Sequence, residues 1–138
     1  MQINQSYATA AVLMGLTVGL HVFGGGPEIH DPIRASTLPD VVRAIGSVLW
    51  HGVTWMLILM AVALGWLSYR RNAALFVMVA AVQLGFAALF VFYGWSVLGN
   101  LWQTPQWVIF SGIPAIMFFG CWQDKRRALS QQSPKGRD

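Results

Sequence analysis

Apolar positions run along this chain in four blocks, at about residues 7–23, 44–69, 73–98 and 106–122. Each block is long enough for a helix to cross a bilayer, which takes roughly 17–25 residues. In lipid a helix is the open-chain way to satisfy every backbone N–H and C=O. The intervals carry turn chemistry. Gly24-Gly25-Gly26-Pro27 is expected to stop the first helix, Arg70-Arg71-Asn72 to separate the second from the third, and Gly99-Asn100 to Pro105 to separate the third from the fourth. Pro114 predicts a kink inside the fourth.

The interval 24–41 reads as a structured outer loop. Asp31-Pro32 has the form of an N-cap followed by proline at the first helical position, which predicts a short helix through Ala35. Thr37-Leu38-Pro39-Asp40 has the shape of a capping box, with Asp in place of the usual Glu, and helix two is expected to start there.

Within the blocks, small and polar residues recur at alternating steps of three and four. Helix two offers Ala44, Ser47, His51, Thr54, Ile58, Ala61 and Gly65; helix three offers Ala73, Phe76, Ala80, Gln83, Ala87, Phe90 and Gly94. Membrane helices meet through such residues. These steps are the seam of a left-handed bundle crossing at about +20°. Helix four supplies Val108, Ser111, Ala115, Phe118 and Trp122. Helix one has two competing faces, the small-residue stripe Ala8, Ala11, Gly15, Gly19 and the seam Tyr7, Ala10, Met14, Thr17, His21. The sequence does not choose between them. Joined by a short turn, helices two and three should be antiparallel neighbours, which places a His51–Gln83 hydrogen bond between them. The polar contacts between helices are thus assigned to Ser47, His51, Thr54 and Gln83, and close packing to Ala11, Gly15 and Gly19.

Composition strengthens the membrane reading. Hydrophobic residues make up 56% of the 138 and charged ones only 10%, against roughly 25% charged in soluble domains. No charged side chain occurs before Glu28, from 44 to 69, or from 72 to 123. Seven of the nine basic residues (Arg70, Arg71, Lys125, Arg126, Arg127, Lys135, Arg137) fall on one side of the four blocks, which the positive-inside rule makes cytoplasmic. Trp66, Tyr69 and Trp122 mark the inner boundary, and Trp95, Trp102 and Trp107 the outer one. The expected fold is therefore all-α: a polytopic, four-helix transmembrane domain over residues 1–127, antiparallel and left-handed, with both termini cytoplasmic and a disordered tail at 128–138. The stretch 1–7 has no Lys or Arg, so no cleaved signal peptide is expected. The net charge of +4 sits at membrane edges and in the tail, which points to orientation in the bilayer and not to a nucleic-acid partner.

Candidate chemistry is sparse. His21, His30 and His51 all lie in the outer half, and Glu28 lies beside His30. Imidazole with carboxylate is a ligand set for zinc or a nonhaem metal, and two imidazoles can ligate haem. No pair shows the i,i+4 spacing of a helical metal motif, so no cofactor is required by the sequence, although metal and haem stay open. Met56 and Met60 read as packing. The single Cys121 excludes an internal disulfide. No carboxylate or lysine lies within a block, where proton-coupled transporters usually carry one. No catalytic constellation is visible, so the reading leans away from an enzyme.

At His21-Val22-Phe23-Gly24-Gly25-Gly26, Ile29, Pro32, Trp50-His51 and Pro105-Gln106-Trp107 the chain resembles a group of uncharacterised small bacterial four-helix integral membrane proteins. The resemblance implies a bacterial inner-membrane location and brings no reaction or ligand. Three function classes follow. The leading one is a non-enzymatic accessory or interaction subunit, associating in the bilayer with a second copy or a membrane protein partner through its small-residue faces. The alternatives are a periplasm-facing metal- or haem-binding module and a transporter of a small neutral or lipophilic solute.

Overall fold

The computed structural model describes residues 3–132. It is all-helical, with no strand among the described residues. The first helix opens at Asn4, whose side-chain oxygen accepts from the Ser6 N–H at 3.0 Å. It runs as α1 (Gln5–Gly19), passes without a break into a π-helical segment (Leu20–His30), and ends as α2 (Asp31–Ala35). Then come α3 (Asp40–Tyr69), α4 (Ala73–Ser96), a 3₁₀ turn (Leu101–Gln103) and α5 (Gln106–Gln132).

Several expectations change here. The Gly24–Pro27 run does not stop the first helix, and the outer loop shrinks to residues 36–39. Glycine costs about 1 kcal/mol in a helix in water, but in an apolar setting an unwound backbone would leave its N–H and C=O groups unpaired. The chain keeps its bonds by widening into i→i−5 pairing. The α2 turn forms with Pro32 in its first positions, and α3 does begin at Asp40, yet without a capping box. Pro39 occupies the cap and no side chain bonds there, because Asp40 is instead paired with Arg43. The 128–138 tail is corrected too, since α5 stays helical through Gln132 on good helix formers such as Ala128, Leu129 and Gln131. The remainder of that tail lies outside the described residues.

Among the described residues, three helices are long and apolar enough to cross a membrane, Gln5–Ala35, Asp40–Tyr69 and Ala73–Ser96. The apolar part of α5 is shorter, bounded by Gln106 and Gln123 and interrupted by Pro114. Large apolar side chains cover the outside, among them Leu16, Leu59, Val62, Val77, Met78 and Phe92. A continuous skin of this kind suits lipid and not water.

The first helix packs chiefly on α3 and secondarily on α5, and α4 packs chiefly on α5. Although a tight turn joins α3 to α4, these two touch only slightly. One core runs through all four, built from Tyr7, Ala10, Met14, Leu57, Leu64, Ala80, Ile113, Met117 and their neighbours. The first helix turns Tyr7, Ala10, Met14 and Thr17 inward. On α4, Ala80, Gln83, Ala87 and Gly94 are buried. The three–four rhythm also holds on α3 and α5, but rotated from its expected position. On α3 the buried residues are Leu57, Met60, Leu64, Leu67 and Ser68, while Ala44, His51 and Ile58 are exposed. On α5, Phe110, Ile113, Pro114, Met117 and Gly120 are buried, while Val108, Ser111, Ala115, Phe118 and Trp122 are exposed. One residue is about 100° of helix. Lipid is as apolar as leucine, so sequence hydrophobicity alone does not tell the packed face from the lipid face.

Candidate functional site at the histidine end

The π segment decides where the histidines stand. His21 and His30 are nine residues apart, which in an α-helix places them about half a turn out of phase. A π turn takes more than four residues, so two of them bring both imidazoles to the face that meets α3. There, both rings lie nearly parallel to the Trp50 indole, His21 at 4.0 Å and 18°, His30 at 5.4 Å and 5°. Gly25 lies between them in sequence, and a Cβ built on it would stand 2.9 Å from Cη2 of Trp50. The indole reaches the helix because that position has no side chain. A second close approach follows one turn on, where a Cβ on Gly46 would lie 3.1 Å from Ile33.

Hydroxyls of α3 orient both imidazoles. Thr54 Oγ1 donates its one proton to the Trp50 carbonyl at 3.0 Å, and it contacts His21 Nε2 at 3.1 Å. Ser47 Oγ donates to the Arg43 carbonyl at 3.1 Å, and it contacts His30 Nε2 at 3.1 Å. With the hydroxyl protons placed on those carbonyls, each Nε2 is the donor. In the neutral imidazole Nδ1 then carries the free lone pair. Sequence position makes both groups natural partners, since Ser47 and Thr54 are one heptad apart on α3.

The remaining sequence candidates fall differently. His51 does not bond Gln83. It is exposed on α3, with its ring edge toward His30 at 5.2 Å between centroids. Gln83 is completely buried on α4, its Nε2 lies 3.8 Å from Met117 Sδ, and its Oε1 has no partner among the described residues. The expected pairing fails because α3 and α4 barely meet and the α3 seam is turned by about one residue. Glu28 is exposed and in no ion pair among the described residues. Among the described residues, no three His, Cys, Asp or Glu side chains are gathered closely enough to hold a metal ion. The two residues that organise the site, Trp50 and Gly25, stood in the sequence only as part of a resemblance and of an expected helix stop. No periodicity betrays them, because their meeting depends on the π segment.

The opposite, basic end is built from directional bonds. Asn4 is buried; its N–H donates to the Ser68 carbonyl at 2.9 Å and its Nδ2 to the Gly120 carbonyl at 3.1 Å. A Cβ on Gly120 would come within 3.0 Å of Ser6 and 3.2 Å of Asn4 Oδ1. Arg71, in the α3–α4 turn, holds Asp124 of α5 through Nε at 3.2 Å and its backbone carbonyl through Nη2 at 3.3 Å.

No protein-family model matches this chain, and no curated protein or solved structure is significantly similar to it.

Proposed function

We propose that this chain is a four-crossing protein of the bacterial inner membrane, a left-handed bundle with both termini cytoplasmic, that serves as a non-enzymatic accessory subunit. The observation that carries the reading is the small-residue face of helix one. Ala11 and Gly19 are half-buried, Gly15 is exposed, and a Cβ on either glycine would meet nothing within 4 Å among the described residues. Glycine on a membrane helix permits close backbone approach, and among the described residues nothing approaches these two closely. The sparse α3–α4 contact supports the same reading, because it leaves both helices with surface to offer. The partner is a second copy or another membrane protein. Native mass spectrometry and cross-linking in mild detergent test this. The parent chain should appear in a complex, and Gly15→Leu should release it while helicity is kept. A strictly monomeric, partner-free parent would overturn the proposal.

A second reading, a periplasm-facing centre for metal or haem, is favoured by one feature. Both oriented imidazoles keep an Nδ1 lone pair uncommitted, and His51 stands beside His30. An absorption spectrum and metal analysis of the purified protein decide it, and a colourless, metal-free preparation from metal-supplemented cells would count against it.

A further inference from the structure

At the basic end, a partly enclosed cavity of about 340 Å³ opens between the α3–α4 turn and α5, lined by Asn4, Leu67, Tyr69, Arg71, Asp124 and Arg127 among others. Its size suits a small ligand group. The polar atoms of Asn4 are spent on the helices around it, so they hold the wall and leave binding to others. Arg71 uses Nε and Nη2 on Asp124, which fixes its guanidinium plane and leaves Nη1 uncommitted. Arg127 is exposed and in no ion pair among the described residues, as are Arg70 and Lys125; Arg126 lies over the Trp122 ring at 4.0 Å. Among the described residues the one carboxylate in the lining, Asp124, is already paired with Arg71, so the field at the cavity is positive.

We propose that this cavity binds the phosphodiester of an anionic lipid headgroup, with Arg127 and Arg71 Nη1 donating to the phosphate oxygens and the Tyr69 hydroxyl beside them. Planar guanidinium forks match phosphate oxygens two at a time. The site's chemistry would also take a free phosphate, but its surroundings select a lipid. Tyr69 lines it, and Tyr69, Trp66 and Val62, exposed at steps of three and four, form an apolar strip down one face of α3 for acyl chains. Aromatic rings of this kind sit at headgroup level, and basic pockets between membrane helices take anionic headgroups. The inference rests on the membrane reading of the chain and is independent of the accessory role.

The test uses the full chain in neutral detergent, titrated with phosphatidylglycerol, phosphatidylcholine or inorganic phosphate, read by native mass spectrometry and thermal unfolding. Phosphatidylglycerol should bind and raise the midpoint while the other two do not. Arg127→Gln should weaken that binding about fivefold, the worth of one interfacial cation. Arg127→Lys should keep most of it, and Arg34→Gln at the far end should change nothing. Equal stabilisation by phosphatidylcholine or inorganic phosphate, or undiminished phosphatidylglycerol binding by Arg127→Gln, would overturn the proposal. Membrane fractionation of the same variants reads insertion separately, so loss of the lipid site is distinguishable from loss of the membrane reading.

Discussion

The two ends of this molecule hold their polar groups by different means. At the basic end, Asn4 joins three helices with hydrogen bonds of defined direction, to Ser68 on α3 and Gly120 on α5, and Arg71 adds an ion pair across to Asp124. At the histidine end, two imidazoles stack on the Trp50 indole and hydrogen-bond to Thr54 and Ser47, all between the first helix and α3 alone. A hydrogen bond fixes distance and angle together, and a stacked pair adds contact area with little direction. The basic end therefore ties three helices to one another, whereas the histidine end ties only two.

Three substitutions sharpen that contrast. Asn4→Leu removes the helix cap and leaves the Gly120 carbonyl without its side-chain donor, and should cost about 2–4 kcal/mol, measured as a drop in unfolding midpoint in detergent. A loss under about 1 kcal/mol would mean the basic end is not the anchor. Gly25→Leu drives a side chain into Trp50 and should cost about 1–3 kcal/mol, with a shift in tryptophan emission as the stack opens. The parent emission kept unchanged would show that the indole does not sit against the π segment. His51→Ala should fall within about 0.5 kcal/mol of the parent, because the residue is exposed. A large loss would restore His51 as a contact between helices.

The periodicity of the helices was readable from the chain, and the phase of two of them was not. Steps of three and four placed Ala80, Gln83, Ala87 and Gly94 on the buried face of α4, where polar Gln83 and the neighbouring alanines leave few alternatives. On α3 and α5 the rule that small and polar residues face inward chose Ala44, His51 and Ser111, and the core was filled instead by Leu57, Leu64, Ile113 and Met117. At the histidine site, Ser47, Thr54, His21 and His30 could each be picked out as polar groups in apolar blocks. Their juxtaposition could not, because Gly24-Gly25-Gly26-Pro27 has the composition of a stop and the geometry of a widened helix. Asn4 was hidden for another reason. Besides its local cap on Ser6, its partners lie 64 and 116 positions away, and nothing in the neighbouring sequence marks those distant bonds.

The π segment also acts as a gear in the first helix. Each residue carried through it turns the chain by less than the α-helical 100°, so the segment sets the angle at which everything beyond it emerges. Deleting a single residue from the Gly24–Gly26 run would ease the winding toward α and swing His30 and the following turn around the helix axis. His21 would stay on Trp50 while His30 left it. The number of residues in that run sets the angle that keeps two imidazoles on one indole, and the bare Cα of Gly25 leaves the indole room to reach them.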